Sequence, residues 1–351
     1  MRVWLDARVR SRYEAFAVRA RWSFWVQYTT LGRTGLKVSV AGLGCGGNSR
    51  IGLGTIPEAQ SVALVRAAID LGVNFIDTAE NYETEPIVGK AIKGLPRDSV
   101  VVSTKSLLVR GGEPKSGADM VASLDASLEK LDTDYVDIFH LHGLNPGAYD
   151  RAMIEVVPAL LREQEKGKFR HLAVSETGPR DPEHKMLERA VDEPLFEVIM
   201  LAFHMMNQTG RTPVLEKARA NRVGTLCMFA VRNIFSRPGL LETTIAALVA
   251  EGRLPAELAK EKDPLGFLVH AAGAESLIDA AYRFARHEPG IDVVLFGTSS
   301  IDHLRANIAS ILCPPLPAAD VARLNQMFGH LVGVGLDLPD HVTGAKPAAK
   351  A

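Results

Sequence analysis

Short apolar runs recur along this chain about every 25–40 residues, and stretches with helical periodicity separate them. Eight such runs lie near residues 40–43, 73–77, 100–105, 136–142, 172–175, 198–204, 223–230 and 293–297. Strands that are buried on both faces of a parallel sheet read as continuous apolar runs, and most of these do. The repeat therefore predicts the α/β class, with eight strand–helix units closed into a (β/α)8 TIM barrel.

The chain length of 351 residues fits one such barrel with insertions. We predict a barrel over residues 29–330, an N-terminal extension over 1–28 and a C-terminal tail over 331–351. The first 28 residues hold all three tryptophans and six arginines against two acidic residues. They are either a dispensable extension or a mitochondrial presequence, whose composition is also rich in arginine and poor in acids. The long interruption at residues 231–264 is interpreted as a lid or a cofactor strap over a ligand, and a surface insertion is the alternative.

The composition indicates which binding partners and which cellular compartment to expect. A formal net charge of −1 gives no electrostatic reason for a nucleic-acid or anionic-membrane partner. No apolar run is long enough to span a bilayer. The three cysteines, Cys45, Cys227 and Cys313, are odd in number and widely spaced, which is typical of a reducing cytoplasm rather than of a disulfide framework.

Four residues form the main candidate site. Asp77, Lys105 and His142 end three successive predicted strands, and Tyr82 follows Asp77 in the next loop. The carboxyl ends of barrel strands meet at one mouth, so these side chains are expected to converge. Reduction of a carbonyl needs a proton donor, and a tyrosine can serve if a neighbouring lysine lowers its pKa. Asp77 would hold Lys105, and His142 would orient the substrate oxygen or feed the proton.

Several motifs carry a resemblance to a known family. They are the run Leu-Gly-Arg-Thr-Gly-Leu-Lys-Val-Ser at 31–39, Asp-Thr-Ala-Glu-Asn-Tyr at 77–82, the strand ending at Lys105, and the strand from Asp134 to His142. In order and spacing they resemble the aldo-keto reductases over about residues 31–330. The resemblance implies a catalytic tetrad of Asp77, Tyr82, Lys105 and His142, a nicotinamide cofactor bound without a Rossmann domain, and reduction of aldehydes or ketones. A small-molecule carbonyl or alcohol is therefore the expected substrate, and a sugar lactol of the aldose dehydrogenase branch is equally compatible.

The resemblance also implies a cofactor site made of residues at the later strand ends. Those residues are Ser175, Phe229, Gly297, Ser299, His303 and Asn307. Two positions depart from the family pattern, because Glu176 replaces an asparagine and Met200 replaces a glutamine near the nicotinamide. The hydroxyls and helix N-terminus around Ser299 favour a 2'-phosphate, and no acidic residue is expected at a free ribose 2'-hydroxyl. NADP(H) is therefore predicted in preference to NAD(H).

Two other functions remain open from the residues. His140 and His142 alternate on one strand and point to the same side, as in a metal-dependent barrel hydrolase. The altered amide contacts at Glu176 and Met200 are also compatible with a non-catalytic regulatory subunit of the same family.

Overall fold

The computed structural model describes residues 26–47, 51–52 and 56–337 of the chain. In chain order its strands are β1 (Tyr28–Thr30), β2 (Lys37–Ser39), β3 (Ala41–Gly44), β4 (Phe75–Asp77), β5 (Val101–Leu107), β6 (Val109–Arg110), β7 (Glu113–Pro114), β8 (Val136–Leu144), β9 (Phe169–Glu176), β10 (Val198–Ala202), β11 (Gly224–Met228) and β12 (Val293–Phe296). Within the described residues, eight parallel strands close a barrel in the order β3-β4-β5-β8-β9-β10-β11-β12, and β12 pairs with β3. Each of the eight predicted runs holds one barrel strand, so the predicted fold is confirmed.

Helices cover the outside of the barrel. They are α1 (Glu58–Asp70), α2 (Glu85–Ile92), α3 (Gly117–Leu131), α4 (Val157–Glu165), α5 (Lys185–Ala190), α6 (Lys217–Asn221), α7 (Asn233–Ser236), α8 (Leu240–Ala250), α9 (Leu277–Arg286), α10 (Ile301–Leu312) and α11 (Ala318–Phe328). A single α-helical turn, Tyr149–Arg151, and a π-helical turn, Ala152–Val156, precede α4. The start of α3 is set by a capping box, in which Ser116 Oγ accepts from the Asp119 amide at 3.2 Å and the Asp119 carboxylate accepts from the Ser116 amide at 3.0 Å.

The barrel interior is apolar and is closed at its amino end. Alternate residues of the strands point inward and form one buried cluster with Leu31 and Val38 of the β1–β2 hairpin region. A methyl group added at Gly224 would come within 2.7 Å of Leu31 Cγ, so the hairpin packs directly against β11. Because this end is filled, the carboxyl ends of the strands are the mouth at which a ligand can enter.

The ends of the described chain pack on the barrel. Tyr28, which the sequence analysis assigned to the N-terminal extension, begins β1, and the Val40 amide donates to the Gln27 carbonyl at 3.0 Å. At the other end, Leu331, Val334 and Leu336 are buried. The remainder of the predicted extension and tail, residues 1–25 and 338–351, lies outside the described residues.

The interruption after β11 contains α7, α8 and a short 3-10 segment, Ala256–Lys260. Among the described residues, no helix combines the length and apolarity that crossing a membrane requires.

Candidate active site

Asp77 and Lys105 meet at the mouth of the barrel, at the ends of β4 and β5. Lys105 Nζ donates to Asp77 Oδ2 at 2.7 Å and to the Thr78 carbonyl at 2.6 Å. The hydroxyl of Ser103, one inward position below Lys105, donates to Asp77 Oδ1 at 2.9 Å. Both charged side chains are almost fully buried. The ammonium is thus fixed by two acceptors in a site that is shielded from solvent.

Tyr82 lies beside this pair on a short 3-10 turn, Glu80–Tyr82. Lys105 Nζ is 4.8 Å from the centroid of the Tyr82 ring. The Tyr82 ring also meets the imidazole of His142 edge to face, with 5.6 Å between ring centroids. The four predicted side chains therefore converge, as their positions at strand ends indicated.

Gly46 makes room for the tyrosine ring. A methyl group added there would lie 2.5 Å from Tyr82 Cε2 and 2.6 Å from Tyr82 Cζ, distances that real carbon atoms do not show. The sequence analysis assigned no role to Gly46, because a single glycine does not reveal which side chain it leaves room for.

The turn that carries Tyr82 is fastened by a buried lysine that the sequence analysis also missed. Lys115 Nζ donates to Glu80 Oε2, Ser106 Oγ and Ser123 Oγ, each at 2.8 Å. Ser106 Oγ donates to the same Glu80 oxygen at 2.6 Å. Since Glu80 begins the turn that ends at Tyr82, this network helps to hold the tyrosine in place.

The electrostatics differ from the expectation for Tyr82. Burial raises the pKa of its hydroxyl, and the Lys105 charge lowers the pKa by less, so the net pKa is raised rather than lowered. Burial also acts on Lys105, but there the Asp77 carboxylate reverses the effect and the net pKa of Lys105 is raised. The prediction from sequence considered the effect of the Lys105 charge on the pKa of Tyr82 but not the effect of burying the phenol. In this structure Tyr82 is a protonated phenol beside a lysine that keeps its charge.

The two histidines on β8 are neutral at pH 7. Burial is the largest cause and the Lys105 charge is the second, and together they lower the pKa of His142 to about 3. The same two causes lower the pKa of His140 well below its usual value. His140 Nε2 is 3.1 Å from Ser103 Oγ, so His140 belongs to the hydrogen-bonded layer beneath Asp77. A neutral His142 can orient the substrate oxygen, but it carries no extra proton that it could pass on in the reaction.

Glu176 has partners of its own. Its Oε1 accepts from the Ala202 amide at 2.7 Å, and its Oε2 lies 2.8 Å from His184 Nδ1. Burial lowers the pKa of His184, but its interactions with the Glu176 carboxylate outweigh this effect, so the net pKa of His184 is raised. The carboxylate is therefore paired with a histidine. His184 was not recognised in the sequence, because a single histidine before a short helix gives no functional signal.

Met200 points into the barrel and is buried in the interior apolar cluster. Ser175, on the neighbouring strand, accepts a hydrogen bond from the Gly143 amide at 3.0 Å, next to His142. The serine is thus placed at the same mouth as the tetrad, whereas the thioether extends the apolar floor beneath it.

The other predicted cofactor residues lie at the ends of β11 and β12. Phe229 directly follows β11 in a left-handed backbone conformation, with φ of 70°. Gly297 follows β12, and Ser300 is the N-cap of α10. His303 and Asn307 lie on α10, the histidine exposed and the asparagine partly exposed. These residues form a strip from the tetrad outward along neighbouring strand ends.

The N-terminus of α10 also carries an acidic residue. Asp302 lies in its first turn, two residues after the Ser300 cap, and is exposed. The expectation that no acidic residue is placed to bind a free ribose 2'-hydroxyl therefore stays a prediction. A carboxylate here opposes a phosphate electrostatically and can accept from a ribose hydroxyl.

A metal site is the alternative that His140 and His142 raised. Among residues 26–47, 51–52 and 56–337, no group of three or more histidine, cysteine, aspartate or glutamate side chains is arranged to hold a metal ion.

Comparison with known proteins gives the family. The chain matches the model of the Aldo/keto reductase family over residues 42–328. It is 28% identical to L-galactose dehydrogenase of Arabidopsis thaliana over 82% of this chain and 88% of that protein. It is 29% identical to the aldo-keto reductase YhdN of Bacillus subtilis (strain 168) over 80% of this chain and 87% of that one.

Solved structures agree. An aldo-keto reductase from Klebsiella pneumoniae in complex with NADPH superposes with a TM-score of 0.64 and 25% identity, over 90% of this chain and 99% of that one. Aldo-keto reductase AKR11C1 from Bacillus halodurans, in its holo form, shares the fold with a TM-score of 0.66, over 86% of this chain and 96% of that one. Since the family model matches most of its length, the chain belongs to the aldo/keto reductase family of oxidoreductases.

Proposed function

We propose that this enzyme interconverts an aldehyde, a ketone or a sugar lactol with the corresponding alcohol or lactone, using NADP(H) and Tyr82 as the proton donor. The observation that carries the proposal is the fixed ammonium of Lys105, held by Asp77 at 2.7 Å and by Thr78 at 2.6 Å, with the Tyr82 ring 4.8 Å away. An intact tetrad of this kind favours catalysis over the regulatory role that the residues left open.

Each residue of the tetrad has a distinct task. Tyr82 donates its proton to the carbonyl oxygen as that oxygen gains negative charge. Lys105 stabilises the phenolate that forms, and Asp77 keeps Lys105 charged and aimed. The neutral imidazole of His142, whose pKa is lowered to about 3, hydrogen-bonds the carbonyl oxygen and orients it. In the oxidative direction the same groups act in reverse.

The residues along the later strands fit a nicotinamide dinucleotide. The aromatic ring of Phe229 offers a stacking surface, and the hydroxyls and free amide groups at the start of α10 suit a phosphate. Gly297, at the end of β12, lies between them, and Ser175 lies at the end of β9, beside the tetrad strand β8. When bound, the cofactor supplies or accepts the hydride at the carbonyl carbon. The solved structure of the aldo-keto reductase from Klebsiella pneumoniae is in complex with NADPH, which supports a nicotinamide cofactor for this enzyme.

We propose NADP(H) over NAD(H), with a small preference. Ser299, Ser300 and His303 favour the 2'-phosphate, whereas the Asp302 carboxylate in the same turn opposes it. We also propose a cytoplasmic location, because Cys45 and Cys227 are buried free thiols.

The substrate class is tested with a panel of carbonyl compounds and NADPH, and with a panel of aldoses and NADP⁺. The panel should include aromatic and aliphatic aldehydes, ketones and hexose lactols, with NADPH absorbance as the readout. We expect turnover of at least one class, unchanged by a metal chelator. Failure to bind NADPH or NADH, together with no turnover of any compound, would overturn the proposal.

A further inference from the structure

A polar layer lies between the apolar interior of the barrel and the candidate active site. It consists of Ser103 on β5 and His140 on β8, and both side chains are fully buried. The next inward residues of the same two strands, Val101 and Ile138, belong to the interior apolar cluster. Because an apolar side chain of similar volume could fill the position of His140, packing alone does not require a histidine there.

This polar layer is hydrogen-bonded to the carboxylate of Asp77. Ser103 lies beside Asp77 in the strand register, and its hydroxyl donates to Asp77 Oδ1 at 2.9 Å. On its other side, Ser103 Oγ is 3.1 Å from His140 Nε2. A hydroxyl has one hydrogen, and a carboxylate paired with Lys105 can only accept, so the hydrogen of the second bond comes from the imidazole. Because the lowered pKa of His140 keeps its ring neutral, the single ring proton is on Nε2.

The hydrogen bond from Ser103 leaves the other carboxylate oxygen to Lys105. Asp77 Oδ2 accepts from Lys105 Nζ at 2.7 Å, so one bond on each oxygen fixes the plane of the carboxylate. Without the bond from His140, the Ser103 hydroxyl could turn its hydrogen away from Asp77, because a hydroxyl rotates about its C–O bond. The imidazole therefore selects the orientation in which Ser103 supports Asp77.

We propose that His140 is a positioning residue for carbonyl reduction. It directs the Ser103 hydroxyl at Asp77, and this contact holds the Asp77 carboxylate against Lys105. Lys105 is thereby kept where it can stabilise the phenolate of Tyr82. The inference rests on the proposed function, because it takes Tyr82 as the proton donor.

The same contacts influence the pH at which the enzyme is active. Burial is the largest influence on the pKa of Asp77 and raises it, whereas Lys105 and the hydrogen bond from Ser103 lower it by less. The titratable groups that lie around this carboxylate are Cys45, Tyr82, Lys105 and His140. Of these four, only Lys105 carries a charge at neutral pH. The ionised carboxylate is the active form, so losing the Ser103 contact should raise its pKa further and move the acid limb of the kcat profile to higher pH.

The test compares His140→Leu with His140→Gln in the full-length protein. Leucine cannot donate to Ser103, whereas glutamine places an amide nitrogen close to the position of the imidazole Nε2. For His140→Leu we expect kcat for the best carbonyl substrate to fall by about three- to tenfold, as for one lost hydrogen bond, and its acid limb to move to higher pH. KM, the NADPH dissociation constant and the melting temperature should change little, because leucine packs well in the apolar barrel. His140→Gln should restore most of the rate.

His171→Leu is the matched control. His171 lies on the next strand, β9, level with Ile138, and its Nδ1 is 2.8 Å from Glu197 Oε2. It makes no part of the hydrogen-bonded layer beneath Asp77. The same substitution there should therefore leave kcat and its pH profile unchanged.

The outcomes separate this inference from the proposed function. A folded His140→Leu protein with wild-type kcat and pH profile would refute the positioning role while the proposed function stands. An equal loss of rate in His140→Gln would also refute it, as would a lower melting temperature with an unshifted pH profile, since His140 would then serve folding alone. Should His140→Leu not fold, Ser103→Ala should move the acid limb in the same direction, and an unshifted profile would overturn the inference. A wild-type protein that reduces no carbonyl compound would overturn the proposed function and this inference together.

Discussion

Gly46 should control the position of Tyr82 without contacting substrate. In Gly46→Ala the new methyl group would lie 2.5–2.9 Å from three atoms of the Tyr82 ring. Ordinary carbon contacts need about 3.4 Å or more, so the ring must move by about 1 Å, or the strand end must shift. A displacement of this size at a reacting group costs about 100-fold in rate, which corresponds to about 2.7 kcal/mol of transition-state stabilisation. Overpacking should also cost about 1–3 kcal/mol of folding stability.

The assay is kcat with the best substrate of the panel, alongside the dissociation constant of NADPH and the melting temperature. We expect kcat to fall about 100-fold and NADPH binding to change little. Gly147→Ala is the control, since its new methyl group would meet only Asn145 Oδ1, at 3.4 Å. Adding Gly46→Ala to Tyr82→Phe should cost almost nothing further, because the glycine acts through the tyrosine. Wild-type kcat in a folded Gly46→Ala protein would refute the reasoning.

Three more expectations follow from the described residues. Asp302→Asn should raise the ratio of NADPH to NADH affinity, measured by titration of both cofactors, and an unchanged ratio would show that Asp302 does not face the ribose. Burial and the Arg232 charge lower the pKa of His204 to about 3, so its contribution to stability is present above about pH 6.5 and is lost as pH falls toward 3. Between pH 7 and pH 5, the free energy of unfolding measured in urea should therefore fall by about 2 kcal/mol more for the wild-type protein than for His204→Gln. An equal fall in both proteins would contradict the lowered pKa of His204. Deletion of residues 2–25 should leave the melting temperature and turnover unchanged, and a large loss of soluble protein would show that this segment is needed.

The barrel and the meeting of the tetrad could be predicted because both depend on local pattern. Continuous apolar runs identify buried parallel strands, and barrel closure brings the ends of β4, β5 and β8 to one mouth whatever the loops between them do. Asp77, Lys105 and His142 were therefore found from their positions alone.

What the sequence could not supply depends on distances across the fold. The net rise in the pKa of Tyr82 reflects how deeply the phenol is buried, which no spacing reveals. The pairing of Glu176 with His184 and that of Arg232 with Asp337 join residues from separate loops. Gly46 gives no signal of its own, because its role is the space that it leaves for another side chain.

The most direct test of the account is the rate of carbonyl reduction by Tyr82→Phe, measured with saturating NADPH beside the NADPH dissociation constant. The substitution keeps the ring between Lys105 and His142 and removes only the hydroxyl group that carries the proton. We predict that kcat falls by about 100-fold to 10,000-fold, as expected for a lost general acid, while NADPH binding remains within about twofold of the wild-type value. Retention of most of the reductase activity would contradict the assignment of Tyr82 as the proton donor.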